Sequence, residues 1–327
     1  MSNIKLRKMV KGILGEKGLK FTLSCWRVVY KFRQLKHHFV HFDLEPDWMM
    51  DTKDSDVTIL NHSYGGICNL GDLVTLKLLN KFGIEPRLVR HYNIPKDCKN
   101  ILLGAGTSID EEHLGSLLKG RVKYINIWGS GIRSKEDYEF FRKVRKSKNV
   151  NICALRGYKS KKALKVSEDL PFGDPGFLLP RFFPLKVEKK NKVLYLPHYL
   201  NQNKIKEKLK ILGADEYFDI KIPNNRFESA LKEIISYKFV LTNSLHGVII
   251  CQAYNIPYAI SLLPGEKLDA RDKWDDLAGW LGIKDKLIFV KNYKEGLKWW
   301  KDVGSKVKVS EDSLDKLMDC FPYGGYL

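Results

Sequence analysis

The sequence predicts an α/β protein with two Rossmann-like domains facing a cleft. Three observations carry that expectation. From about residue 55, short apolar runs alternate with turn signals and helical stretches. A proline-bearing stretch at 173–188 interrupts the rhythm, and a second alternating series follows it. A chain of 327 residues also outgrows what one hydrophobic core usually serves.

The elements follow in order. In the first domain, strands are expected at 57–60, 87–91, 101–103, 123–128 and 151–155, with helices at 72–82 and 161–166. Strands that alternate with helices imply a parallel sheet covered on both faces. The segment 173–188 holds Pro175, Pro180 and Pro184 and predicts a linker. The second series runs strand 192–196, helices 203–212 and 227–235, strand 239–242, helix 245–254 and strand 258–261. Residues 310–327 offer a short helix and an aromatic, Gly-rich tail without an evident role. The expected division is thus a basic segment 1–50, domains at 51–188 and 189–305, and a C-terminal helix and tail at 306–327.

Composition sets the class of partner. Hydrophobic residues make up 44% of the chain, which excludes a disordered or fibrous protein. The net charge of +19 calls for an anionic partner. Its distribution is lopsided: residues 1–40 hold ten Lys/Arg against the single acid Glu16. That stretch predicts a basic amphipathic helix broken near Gly15 and Gly18, with Met9, Val10, Ile13 and Leu14 on one face. It suits the interface of an anionic bilayer, or else packs its apolar stripe on the protein body. No apolar run approaches the length of about 20 residues that spans a membrane, and Lys or Arg interrupt the N-terminus too often for a secretory h-region. Six scattered cysteines without CxxC spacing argue against a zinc site and fit free thiols in a reducing cytoplasm. The expected location is cytoplasmic, with the inner face of the cell membrane as the site of any bilayer contact.

The most informative motif lies at 239–260. A β-branched strand ends in Thr242-Asn243-Ser244, and Leu245-His246-Gly247 turns at once into an apolar helix. Open α/β sheets bind ligands at such strand ends. Free amides there favour an anion, and an imidazole can add charge or move a proton. A histidine capping a structural turn is the plain alternative. A polar cluster between two apolar elements is better explained by a ligand.

His198 repeats the arrangement after strand 192–196. In the first domain, strand 57–60 feeds the loop His62-Ser63-Tyr64-Gly65-Gly66, and Asn69-Leu70-Gly71-Asp72 opens a helix that Asp72 could cap. Gly104-Ala105-Gly106 and Gly129-Ser130-Gly131 follow two later strands, and together these loops suggest a ligand-facing rim. Arg156 ends a further strand, with Ser160 placed to cap the helix from Lys161. An arginine there suits a carboxylate or phosphate, unless it pairs with an acid such as Asp174.

Taken in order, these motifs resemble the polysaccharide pyruvyl transferase family. The matching residues are Asn69-Leu70-Gly71-Asp72, Gly104 and Gly106, Trp128-Gly129-Ser130-Gly131, Leu155-Arg156-Gly157 with Ser160, Gly173 to Pro180 including Asp174, Pro197-His198, and Ser244-Leu245-His246-Gly247 with Ala253-Tyr254 and Ile256-Pro257. Some relatives carry Arg where this chain has Ser244, so another cation, Arg156, Arg133 or Arg271, must compensate. The resemblance implies a glycosyltransferase-B-like fold. It implies transfer of the enolpyruvyl unit of phosphoenolpyruvate to a sugar or lipid-linked oligosaccharide acceptor of a capsule or exopolysaccharide, with release of phosphate.

The residues suit that donor on their own chemistry. A phosphate and a carboxylate on one small frame need cations and oriented amides, and the reaction needs an acid and a base. His246 is the leading acid/base candidate, with Asp72 facing the acceptor hydroxyls. Arg156, His198, Asn243, Ser244 and Gly247 are the expected donor contacts. Asn69, Gly71, Gly106, Ser130, Arg133 and Asp174 are expected around the acceptor or cleft. No cofactor and no metal are demanded. The rival reading is a nucleotide-sugar glycosyltransferase of the same architecture. A nucleic-acid-binding module ranks below both, because the charge outside residues 1–40 is diluted and no RNP-like motif is present.

Overall fold

The structure, a computed structural model, describes residues 57–60, 62, 66–120, 122–134, 138–166 and 169–324. The basic segment expected over 1–50, the bilayer contact assigned to it, and loop residues 63–65 lie outside the described residues. Residues 50–327 form one compact unit.

The first sheet is parallel throughout. Its strands are β1 (Thr58–Leu60), β3 (Arg87–Val89), β4 (Asn100–Leu103), β5 (Tyr124–Trp128) and β6 (Val150–Ala154), in the order β3-β1-β4-β5-β6. The crossovers carry α1 (Val74–Lys81), α2 (Leu114–Lys119) and α3 (Tyr138–Lys146). Burial on both faces explains why Ile101, Leu102 and Leu103 of β4 form a continuous apolar run, and why Ile125, Ile127 and Trp128 of β5 are all buried around the single polar Asn126. The helix expected at 72–82 begins instead as a 3-10 turn, Leu70–Leu73, because Asn69 caps the chain there. The helix expected at 161–166 is α4 (Tyr158–Leu164), so Ser160 lies inside its first turn rather than at its cap.

The second sheet repeats the scheme with β7 (Lys190–Leu196), β8 (Glu216–Tyr217), β10 (Tyr237–Thr242) and β11 (Tyr258–Ile260), ordered β11-β10-β7-β8 and again parallel. Helix Ile205–Leu212 ends where Gly213 takes φ +65°, a left-handed C-terminal stop. In helix Phe227–Ser236, Phe227, Ala230, Leu231, Ile234 and Ile235 form the apolar stripe of an amphipathic helix. The helix that follows β10, Leu245–Ala253, is different. It is buried all round from Leu245 to Gln252, which marks a central element rather than a surface one.

Segment 173–188 is not the linker its prolines suggest. Pro175–Leu178 is a 3-10 turn and Leu179–Phe182 a helical turn. Asp174, Phe177, Leu178 and Leu179 are all buried. Here proline serves the start of each turn, where no amide hydrogen is needed. A short antiparallel ribbon, β2 (Ile67–Asn69) with β9 (Lys221–Pro223), ties the loop after β1 to the second half of the chain.

The C-terminal tail also has a place. After helix Glu311–Asp319, Phe321 packs edge-to-face on Trp128 and Phe82, with ring centroids 4.9 and 5.1 Å away. The Trp128 indole donates to the Leu317 carbonyl at 2.7 Å. Among the described residues, no helix is long and apolar enough to cross a membrane.

Candidate active site

Both sheets reverse their winding direction once, between β1 and β4 in the first and between β7 and β10 in the second. The carboxyl ends of strands at such a reversal splay apart and leave a crevice. The two crevices open into one cleft of about 680 Å³. Its wall includes His62, Asn69, Asp72, Gly106, Glu112, His113 and Arg133 from the first half, and His198, Tyr199, Lys221, Ser244, His246, Asp269 and Lys273 from the second.

His246 sits in the first turn of the buried helix after β10 and lines this cleft. Its ring lies against the backbone of Gly71, so close that a methyl group on Gly71 would fall 1.8 Å from Nδ1. Its Nε2 is buried, makes no hydrogen bond, and lies 3.9 Å from Asp174 Oδ2. Burial lowers the basicity of His246, while Asp174 and Asp72 act to raise it. A buried, unsatisfied imidazole nitrogen costs roughly 1–3 kcal/mol, and such groups tend to persist where chemistry uses them.

His198 faces it from the end of β7. Its Nδ1 accepts from the Leu200 amide at 3.4 Å, which leaves Nε2 to carry the proton of the neutral ring. The pKa of His198 is pushed down to about 4 by burial and then by the neighbouring Lys273. Asn243 does not line the cleft. Its Oδ1 accepts from the His198 amide at 2.6 Å, and its Nδ2 donates to Glu266 at 3.1 Å, so it holds the His198 turn in place.

Asp72 reaches the cleft because Asn69 takes over the capping, its Oδ1 accepting from the Gly71 amide at 3.0 Å. Gly106, at φ +113°, occupies a backbone region closed to most side chains. Its amide donates to Asp174 at 3.3 Å, placing Asp174 behind the wall between Gly106 and His246. Ser130 is fully buried; its Oγ accepts from the Ser108 amide at 3.1 Å and donates to the Gly106 carbonyl at 3.3 Å. Ser244 lines the cleft, but Gly247 does not. A side chain on Gly247 would meet Thr242 Oγ1 at 2.4 Å, so its role is close packing of helix on strand.

Arg156 corrects the expectation of a donor clamp. It is fully buried, and its guanidinium donates to the carbonyls of Gly106 (3.0 Å) and Ile132 (2.9 Å) and to Thr107 Oγ1 (2.8 Å). Its acid partner is not Asp174 but Asp276, 3.3 Å from Nε. Asp276 also accepts from the Ser160 amide (2.9 Å) and hydroxyl (2.6 Å). The motif Leu155-Arg156-Gly157 with Ser160 is therefore a seam between the helix Tyr158–Leu164 and the helix Arg271–Trp280. It holds the Gly106 loop, and Arg156 is absent from the cleft wall.

The cations that do line the cleft are Arg133, Lys221 and Lys273, against the acids Asp72, Glu112 and Asp269. Arg133 bonds Asp269 at 3.1 Å and lies 3.4 Å from Asp110, which is 2.8 Å from His113 Nδ1. Burial opposes the ionisation of Asp269, but Lys273, Arg133 and His198 together hold its carboxyl below the usual range. Arg271 pairs with Asp275 at 2.8 Å and takes no part in the cleft wall. Lys273, Asp269, His113, Glu112, Tyr199 and Lys221 were not signalled by any local motif. Asp269 and Lys273 stand four residues apart, the spacing of an ordinary surface ion pair. Among the described residues, no group of three or more His, Cys, Asp or Glu is placed to hold a metal ion.

Three comparisons with known proteins bear on the chain. An uncharacterized protein of Acanthamoeba polyphaga mimivirus is 26% identical over 182 residues, covering 53% of this chain and 60% of that protein. The chain thus spans less than two thirds of that relative's length. The crystal structure of a functionally uncharacterized protein from Klebsiella pneumoniae aligns with a TM-score of 0.47 at 13% identity, covering 72% of this chain and 93% of that one. The model of one family, polysaccharide pyruvyl transferase, matches residues 69–259, more than half of the sequence and every element that builds the cleft from Asn69 to His246. The chain belongs to the polysaccharide pyruvyl transferase family.

Proposed function

We propose that the protein moves the enolpyruvyl unit of phosphoenolpyruvate onto two hydroxyls of a sugar, in a surface polysaccharide or its lipid-linked precursor. The product is a pyruvate ketal, and phosphate is released. The halves at 51–188 and 189–305 then act as the acceptor and donor sides of a glycosyltransferase-B-like arrangement. The reaction takes place in the cytoplasm, at the inner membrane face where the acceptor is lipid-linked.

The observation that carries this reading is the meeting of His198 and His246 from one switch point with Asp72 and the Gly106 loop from the other. Three acids balance three fixed cations along the cleft wall, so fixed charge alone does not favour a polyanionic donor. Histidines kept neutral by burial can take up protons as that donor arrives, adding the missing charge where it is needed.

In the chemistry, a proton adds to the methylene carbon and turns it into a methyl group. The first sugar hydroxyl adds to the neighbouring carbon and loses its proton. Phosphate then departs with the C–O bonding pair, and a second hydroxyl adds and gives up its proton. Of the two protons lost by the hydroxyls, one balances the new methyl hydrogen and the other leaves with phosphate. His246 exchanges these protons, Asp174 behind it stabilises the imidazolium, and Asp72 receives the hydroxyls.

The nucleotide-sugar reading uses the same strand ends for a diphosphate. One assay separates them: the full chain is offered phosphoenolpyruvate or a panel of nucleotide sugars, each with glycoside acceptors. Phosphate release with phosphoenolpyruvate supports the proposal. Nucleoside diphosphate release, with phosphoenolpyruvate left intact, overturns it.

A further inference from the structure

Lys273 stands apart from every residue the sequence motifs single out. It lies in the first turn of the helix Arg271–Trp280, its side chain is 7% exposed, and it lines the cleft with His198 and His246. Lysine is almost never buried to this degree unless it is paired. Its pairing is incomplete. Among the described residues its ammonium makes one hydrogen bond, to Asp269 Oδ2 at 2.5 Å, out of three donors.

Asp269 is also shared. The same carboxylate bonds Arg133 at 3.1 Å and lies 3.8 Å from His198 Nε2. One acid therefore serves two full cations and an imidazole. Burial makes Lys273 less basic than usual; Asp269 acts against this, while Arg156 and Arg133 add to it. A buried cation with two spare donors, sharing its single bonded carboxylate with Arg133, is a site for an anion.

We propose that Lys273 is an anion-binding residue of the cleft, its ammonium taking a phosphate or carboxylate oxygen while Asp269 fixes its position. Arg133, half-exposed on the other side of Asp269, flanks the same anion. With Arg156 spent on the Gly106 loop, Lys273 is a buried cation that lines the cleft together with the two histidines. For phosphoenolpyruvate in particular, this rests on the donor reading given above. The anion site itself does not.

The test measures binding of inorganic phosphate and of phosphoenolpyruvate to the full chain by calorimetry, for wild type, Lys273→Met and Lys273→Arg. Lys273→Met is expected to weaken both by about tenfold or more, and Lys273→Arg to stay within about threefold of wild type. Equal affinity of Lys273→Met and wild type, or no phosphate binding by wild type, overturns the proposal. Should Lys273→Met fail to fold, amine acetylation mapped by mass spectrometry on wild type decides the matter. Phosphate is expected to protect Lys273 while leaving exposed Lys301 unchanged, and equal labelling of Lys273 with and without phosphate refutes the site. If phosphate binds through Lys273 but phosphoenolpyruvate is not turned over, the donor reading fails and the anion site stands.

Discussion

Gly71 and His246 meet face to face across the two halves of the protein. A Cβ on Gly71 would fall 1.8 Å from Nδ1, 2.1 Å from Cγ and 2.5 Å from Cε1 of the ring. No rotation of a methyl group relieves such a contact, so the imidazole itself must leave. Gly71→Ala is therefore expected to lower turnover about 100-fold or more while the protein stays folded. Steady-state kinetics with thermal unfolding checks this, and near-normal turnover would show that the ring position is not needed.

Arg156 gives a prediction of a different kind. Its guanidinium spans the Gly106 and Ile132 carbonyls and faces Asp276 in a fully buried setting. Removing one partner of a buried pair costs about 3–5 kcal/mol. Arg156→Ala is expected to lose stability on that scale and to reduce kcat through the loosened Gly106 loop. A variant of normal stability with only a raised KM for phosphoenolpyruvate would restore Arg156 to direct donor contact. Urea unfolding and kinetics on one preparation distinguish the two.

His198 ties stability to pH. Its folded pKa of about 4 lies below the ordinary value of 6.5, so between those values the unfolded chain binds more protons than the folded one. Stability from this group is present above pH 6.5 and is lost as pH falls towards 4, on the order of 1–3 kcal/mol. His113 works in the opposite sense, since Asp110 raises its basicity against the effect of burial. His198→Gln isolates the first effect: its urea midpoint is expected to fall less than that of wild type between pH 7 and pH 5. Identical pH slopes would contradict the assignment.

Phe321 carries the claim that the C-terminal tail is structural. It is 4% exposed and closes the aromatic cluster over Trp128 and Phe82. Phe321→Ala is expected to cost about 3–5 kcal/mol in chemical unfolding. A cost below 1 kcal/mol would mean the cluster collapses onto the gap at no penalty.

What the sequence revealed follows its physics. Strand segments buried on both faces are apolar without interruption, so residues 193–196 of β7 and 239–241 of β10, and the polar groups that follow them, His198 and His246, stand out from their surroundings. Arg156 stands out equally and misleads, because its partner Asp276 lies on a helix far along the chain, and nothing local tells an inward arginine from a ligand-facing one. Segment 173–188 was hidden by its prolines, which signal a linker but here start two buried turns around Phe177 and Leu179. Asp269 and Lys273 were hidden by their ordinary spacing. Asp269 stands just before the helix that begins at Arg271, and Lys273 in its first turn. Only the packing of that helix against the helix Tyr158–Leu164 turns this commonplace i, i+4 pair into part of the cleft wall.

The proposed reaction depends on His246 acting on phosphoenolpyruvate in this cleft. The direct measurement incubates the full chain and its His246→Gln variant with phosphoenolpyruvate and lipid-linked or synthetic glycosides, following phosphate release and pyruvyl mass gain together. Wild type is expected to release one phosphate per pyruvyl group transferred, and the variant, folded as judged by circular dichroism, to fall about 10²–10⁴-fold. Transfer by His246→Gln at the wild-type rate, or phosphate release without any gain in acceptor mass, would contradict it.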